Sequence, residues 1–249
     1  MRRILIISVL LVSVTACSIK EDRSACPANI HLRLSERSLS IAGGLPVGVR
    51  VSDSGGTKEV GLSAAEPDCW VAVEKGGVDL VCLLGNGAGI SVPPGRQCDS
   101  IWADSSHMLA EYEECEVLLD LHKRFATVFI DFEEGVEPWR YDISVCGNVG
   151  GTGLPGLKPV SGEFRFQLEV EDGAASVRVP CQGSDSSLRL LFESRTPAGQ
   201  SWDWDLAGEL ARLGYDWSQE DLADIRVHVK LLSAGLGIEI GSWKDGGSI

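Results

Sequence analysis

Apolar and polar residues alternate with a period of two through most of this chain. The stretch Glu163-Phe164-Arg165-Phe166-Gln167-Leu168-Glu169-Val170 is the clearest case, with four apolar side chains on one face and four polar ones on the other. Consecutive strand residues point to opposite sides, so this pattern marks a sheet with one dry face and one wet face. The same reading predicts strands at Ile30–Leu34, Val47–Val51, Val60–Leu62, Cys115–Leu121, Phe125–Phe132, Arg140–Val145, Ser176–Val179, Ser187–Phe192, Ile225–Leu231 and Ile238–Ile240. Trp70–Val73 and Val78–Leu84 flank Glu74-Lys75-Gly76-Gly77, which reads as a hairpin connection. Helical spacing is rare. Leu206, Leu210 and Leu213 fall at i, i+4 and i+7 before Gly214, and Ser218-Gln219-Glu220-Asp221 resembles a capping box that starts a turn. Asp104 to Glu114 is ambiguous and has room for a helical turn. Many short strands with Gly and Pro turns predict an all-β chain with minor helix, built as two tandem β-sandwiches that divide near Leu121.

The N-terminus breaks this pattern. Met1-Arg2-Arg3 precedes an apolar run from Ile4 to Val14, then Thr15-Ala16-Cys17. Such a run is too short for a bilayer core of roughly 30 Å at 1.5 Å per residue, and it reads as a secretory signal peptide. Val14-Thr15-Ala16-Cys17 resembles a lipobox, in which the thiol of the cysteine is acylated; an ordinary cleavage site carrying a cysteine is the alternative. Two or three acyl chains hold a protein on a membrane far longer than one. The expected organisation is a signal peptide at 1–16, a lipidated tether at 17–27, and sandwiches at 28–121 and 122–249.

Composition narrows the partners. The formal charge is −14, and removal of residues 1–16 takes two arginines and no acid. Such a surface argues against nucleic acid or an anionic membrane face. Of eight cysteines, Cys17 is assigned to lipid, which leaves an odd seven. Export permits disulfides, and Cys69–Cys82 or Cys98–Cys115 are the bridges considered; most of these cysteines sit in apolar runs and read as buried thiols. No Cys pair or His pair has zinc spacing, and neither a metal nor another cofactor is expected.

Catalytic motifs are weak. Gly151-Thr152-Gly153-Leu154-Pro155-Gly156 matches G-x-G-x-x-G, but Pro155 and Pro159 deny it the helix that would receive a pyrophosphate. The four histidines are scattered, with His31 and His228 expected on wet faces of strands and His122 in a connection. Glu113-Glu114, Glu133-Glu134 and Glu220-Asp221 read as solvated charge rather than glycosidase pairs. Trp202-Asp203-Trp204 places two indoles on one face, either as a sugar-stacking platform or as core beside the Leu206 helix. A binding or assembly protein is expected, not an enzyme.

Cys17-Ser18-Ile19-Lys20-Glu21-Asp22-Arg23 with Cys26-Pro27 closely resembles the mature start of the Bacteroidales FimB/Mfa2 family of fimbrial anchor and tip lipoproteins. Lys123-Arg124-Phe125-Ala126-Thr127-Val128, Tyr141 to Gly147 and Gly162-Glu163-Phe164 look like the opening of that family's second domain, and Asp224-Ile225 with Ile238–Trp243 like its end. The resemblance implies transthyretin-like Greek-key sandwiches and a non-enzymatic role with other fimbrial subunits as partners. It implies a lipid anchor at Cys17 in the outer membrane and a surface-export signal at Lys20, Glu21 and Asp22. Strand addition to a sheet is the implied mode of assembly, with Arg33 and Arg37 as candidate processing sites. An anchor would keep its first strand, Ile30–Leu34; tip and shaft roles stay open, as do host or bacterial surface ligands. The other readings are a surface glycan-binding lipoprotein using Trp202 and Trp204, and a secreted hydrolase.

Overall fold

The computed structural model describes residues 26–84, 90–183, 185–233 and 235–241. Its strands form four sheets that enclose two hydrophobic cores. The first strand, β1 (Ala28–Leu34), buries Ala28, Ile30, Leu32 and Leu34 and turns the residues between them outward. It runs between β4 (Asp68–Val73), antiparallel, and β8 (Glu114–Leu119), parallel, as the centre of a three-stranded sheet. Against that sheet packs a five-stranded one. Its order is β3 (Gly56–Leu62), β2 (Val47–Asp53), β5 (Gly76–Leu84), β7 (Trp102–Ala110) and β9 (His122–Lys123). Helix α1 (Glu36–Ala42) leaves β1 directly. Ser35 caps it, its hydroxyl accepting from the Ser38 N–H at 3.0 Å, and Gly43 ends it in the left-handed region at φ 55°.

The second sandwich pairs two further sheets. One is β12 (Lys158–Gln167), β11 (Tyr141–Gly153), β14 (Arg189–Ser194) and β15 (Trp202–Asp205), joined by the short β6 (Ile90–Ser91) at β11. The other is β13 (Ala174–Pro180), β10 (Phe125–Phe132), β16 (Ile225–Leu232) and β17 (Gly235–Ile240), with β10 and β16 parallel. Helix α2 (Leu206–Arg212) buries Leu206 and Leu210, whereas Leu213 is largely exposed.

Several expectations change here. Glu74 to Gly77 is not a hairpin: β4 and β5 belong to opposite sheets, so the short connection carries the chain across the sandwich. Asp104 to Ala110 is strand, paired along its length with β5. Gly151 and Thr152 lie inside β11 and pair with β12, so the glycine motif forms a hairpin and no phosphate cradle. Ser218 is not a cap; its N–H and hydroxyl both donate to Asp216. Neither considered disulfide forms, and the seven described cysteines are free thiols. Cys69 and Cys82 sit in facing sheets, which pack about 10 Å apart, and a bridge needs Cα atoms within about 7 Å. Cys98 belongs to the second core, while Cys115 packs on the first.

The two sandwiches are threaded together rather than merely joined end to end. Val92, Cys98, Ile101 and Ala103 precede β8 in sequence yet are buried in the second core. Backbone bonds fix this excursion: Val92 N–H donates to Gly150 O at 2.8 Å and Cys98 N–H to Arg178 O at 2.9 Å. Trp102 packs against both cores.

Candidate functional site

β1 is held on both sides by backbone pairing over nearly its whole length, and its inner face is fully buried. On the outer face His31 stacks on Trp70, ring centroids 4.5 Å apart, and its Nε2 lies 3.2 Å from Asp68. Arg33 lies beside them and pairs with Glu116 at 3.3 Å across to β8, both side chains about half exposed. Four residues on, Arg37 leaves the first sandwich altogether. Its guanidinium donates to Asp221 Oδ2 at 2.6 Å, in the segment before β16. Helix α1, which follows β1 directly, is therefore tied to the second sandwich.

Asp221 is the hub of that junction. Its Oδ1 accepts the Lys123 N–H at 2.9 Å, and His122 Nδ1 lies 3.3 Å from its Oδ2. Burial pushes the carboxyl's pKa up, but the Lys123 N–H and the Arg37 and His122 side chains outweigh it, and the net direction is down. Lys123 is itself buried. Its ammonium donates to Asp224 at 2.6 Å and lies 4.9 Å from the centroid of the Phe125 ring; the Asp224 carboxylate also takes the Thr127 N–H at 2.7 Å. On the first sandwich, Ser35 and Ser38 bond Asp120, Leu119 O and the Leu121 N–H. Every one of these contacts spans 80 residues or more, apart from those within α1 and between Lys123 and its near neighbours.

Among the sequence-derived sites, Cys17, Lys20, Glu21 and Asp22 lie outside the described residues. Arg33 and Arg37 are brought to one end of β1, one in the strand and the other in α1. Trp202 and Trp204 do stack, with centroids 6.1 Å apart and planes 4° from parallel. Both are half-buried against the second core. Trp204 meets Phe192 edge-on at 5.0 Å, Trp202 covers Gly235 so closely that a Cβ there would clash, and the Trp202 Nε1–H is buried. The indoles thus behave as core, with Asp203 and Asp205 outward. The sequence reading of Glu220-Asp221 as solvated charge is corrected for Asp221, whose half-buried carboxylate holds Arg37 and the Lys123 N–H; each of Asp221 and Asp224 is one acid among 36 in the chain, and no local pattern marks its partners. Only Lys123, a cation opening an apolar strand, offered a signal.

Among the described residues no three His, Cys, Asp or Glu side chains converge as metal ligands, and no helix is long and apolar enough to cross a membrane. No family model matches the sequence, and no curated protein matches it. The fold does have solved counterparts. The fimbrial anchor protein Mfa2 from Porphyromonas gingivalis superposes with a TM-score of 0.62 at 15% identity, covering 88% of this chain and 98% of that one. A protein of the DUF1812 group from Bacteroides thetaiotaomicron, described as a candidate polysaccharide binder, gives 0.63 at 12% identity over 88% and 96%. A candidate adhesin from the same organism gives 0.61 at 10% identity over 88% and 97%. The chain has an Mfa2-like all-β fold.

Proposed function

We propose that this chain is a lipid-anchored fimbrial subunit of the FimB/Mfa2 type, acting as the anchor or assembly-terminating member and without enzymatic activity. The observation that carries the reading is the seat of β1 at the centre of its sheet, directly after residues 17–27. A subunit that keeps this strand has its groove filled from within and has no need of a donor there. Acylation of Cys17 would hold it in the outer membrane, with Lys20, Glu21 and Asp22 directing it to the cell surface. Contacts with neighbouring subunits would then run through a sheet edge elsewhere, by strand addition. Likeness in fold to a protein named a fimbrial anchor supports the reading, as does the lipobox with the Lys-Glu-Asp-Arg and Cys-Pro pattern that follows it. The inward packing of Trp202 and Trp204 weighs against glycan binding by those two indoles.

The test is deletion in the native host. Fimbriae should then be released into the medium or change in length. Fimbriae of unchanged length that stay on the cells would refute the anchor role.

A further inference from the structure

The junction lies where β1 ends and β10 begins. From there β10 runs eight residues, roughly 26 Å at about 3.3 Å each, to the far end of the second sandwich. At that end a cleft of about 750 Å³ opens between the β10–β11 loop and the β12–β13 connection. Its volume falls within the roughly 300–1,000 Å³ of specific ligand sites.

Trp139 stands at the rim, 65% exposed, in a one-turn 3-10 helix (Pro138–Arg140). Its backbone is braced: Arg195 donates from Nη1 to Trp139 O at 3.1 Å and from Nε to Asp142 at 3.0 Å. The indole is thus presented outward from a fixed backbone, unlike the inward-facing Trp202 and Trp204. The charges around it do not balance. Glu133, Glu134, Asp142, Glu169 and Asp172 line the cleft with one cation, Arg195, which is committed to Asp142. The neighbouring Arg140 pairs with Glu137. Glu133 receives the Leu231 N–H. Glu134, Glu169 and Asp172 have no ion-pair partner among the described residues.

We propose that this cleft binds a basic peptide segment, with a Lys or Arg side chain over the Trp139 indole and neighbouring cations against Glu134, Glu169 and Asp172. An indole face attracts cations more strongly than the other aromatic rings do. Several unneutralised carboxylates around one indole match several cations on one chain, and they repel a polyanion. A neutral sugar could stack on Trp139 but would leave those carboxylates without a counter-charge. The proposal does not depend on acylation of Cys17 or on the anchor role.

The test uses the purified mature chain and a fluorescent peptide of alternating Lys and Ser, with a Gln-for-Lys peptide and a panel of neutral oligosaccharides as comparisons. The Lys peptide should bind and the Gln peptide should not. Raising salt from about 0.1 M to about 1 M, which shortens the screening length from about 10 Å to about 3 Å, should weaken binding at least tenfold. Trp139→Ala and, separately, Glu169→Gln with Asp172→Asn should each weaken it by about tenfold. These side chains are exposed, and an unchanged melting temperature will show that the variants fold. Equal binding of the two peptides, no binding, or indifference to the substitutions would overturn the proposal. So would salt-independent binding of a neutral oligosaccharide that Trp139→Ala abolishes.

Discussion

Asp221, in the segment before β16 of the second sandwich, accepts bonds from Arg37 in α1 and from the Lys123 backbone in β9, both on the first sandwich, and its carboxyl pKa is held below the ordinary 3.8. A depressed carboxyl stabilises the fold fully above its unfolded pKa, and that contribution is lost as pH falls through the folded value. Asp221→Asn should therefore cost about 1.5–3 kcal/mol at neutral pH, the range for hydrogen bonds to a charged group. It should also reduce the loss of stability on going from about pH 5 to about pH 3. Urea unfolding across that range reads both effects; an unchanged acid slope would remove Asp221 as the hub. The thiols give a second check at this scale. Burial pushes Cys82 up to about 12 and Cys98 up to about 12, and the reactive species is the thiolate. Cys26 is exposed. In the folded chain a disulfide-exchange reagent should modify Cys26 first and spare Cys82 and Cys98. In denaturant without reductant all seven described cysteines should react, and a lower number would reveal a disulfide.

Among the elements, β1 organises the first sandwich. It supplies four buried side chains to the first core and both pairing partners of the three-stranded sheet depend on it. Leu32→Ala should destabilise the chain by about 2–5 kcal/mol, the cost of a buried leucine truncation, measured by chemical unfolding. Limited trypsin digestion asks whether the strand is held as described. Arg33 is in a doubly paired strand and Arg37 is ion-paired in α1, whereas Arg96 is exposed in a connection without regular structure. Of these three sites, Arg96 should be cut first. A first cut at Arg33 or Arg37 would mean that β1 opens more readily than its pairing allows.

The strands were legible because alternation survives wherever one face is wet; β12, β13 and β16 follow it closely. Helix α1 was not, because its inward positions are Ser38 and Ala42, small residues that leave no apolar stripe. The false hairpin at Glu74 to Gly77 has a related cause: glycine turns specify a reversal of direction, and a chain changing sheets reverses as well. At the site, the charges of Arg33 and Arg37 were visible in sequence, but the partner of Arg37 lies 184 residues away, beyond any local pattern.

For the whole molecule, the threading of Val92 to Ala103 through the second core makes the two sandwiches interdependent. Neither half should fold alone from a cut near Leu121, and unfolding of the intact chain should follow one transition by every probe. Two separated transitions would show that the excursion couples little. This feature was the least legible of all, since the segment is loop-like in composition and its burial depends on residues far along the chain. The sandwich class, by contrast, followed from strand number and turn spacing.

The central claim is mechanical: a lipid fixes one end of the chain, and β1 stays in place to fill its own sheet. Mass spectrometry of the mature protein from the native host tests both parts at once. The expected result is an N-terminus at Cys17 carrying glycerol-linked acyl chains, continuous through Arg33 and Arg37. An unacylated terminus, or one that begins at Leu34 or Ser38, would contradict it.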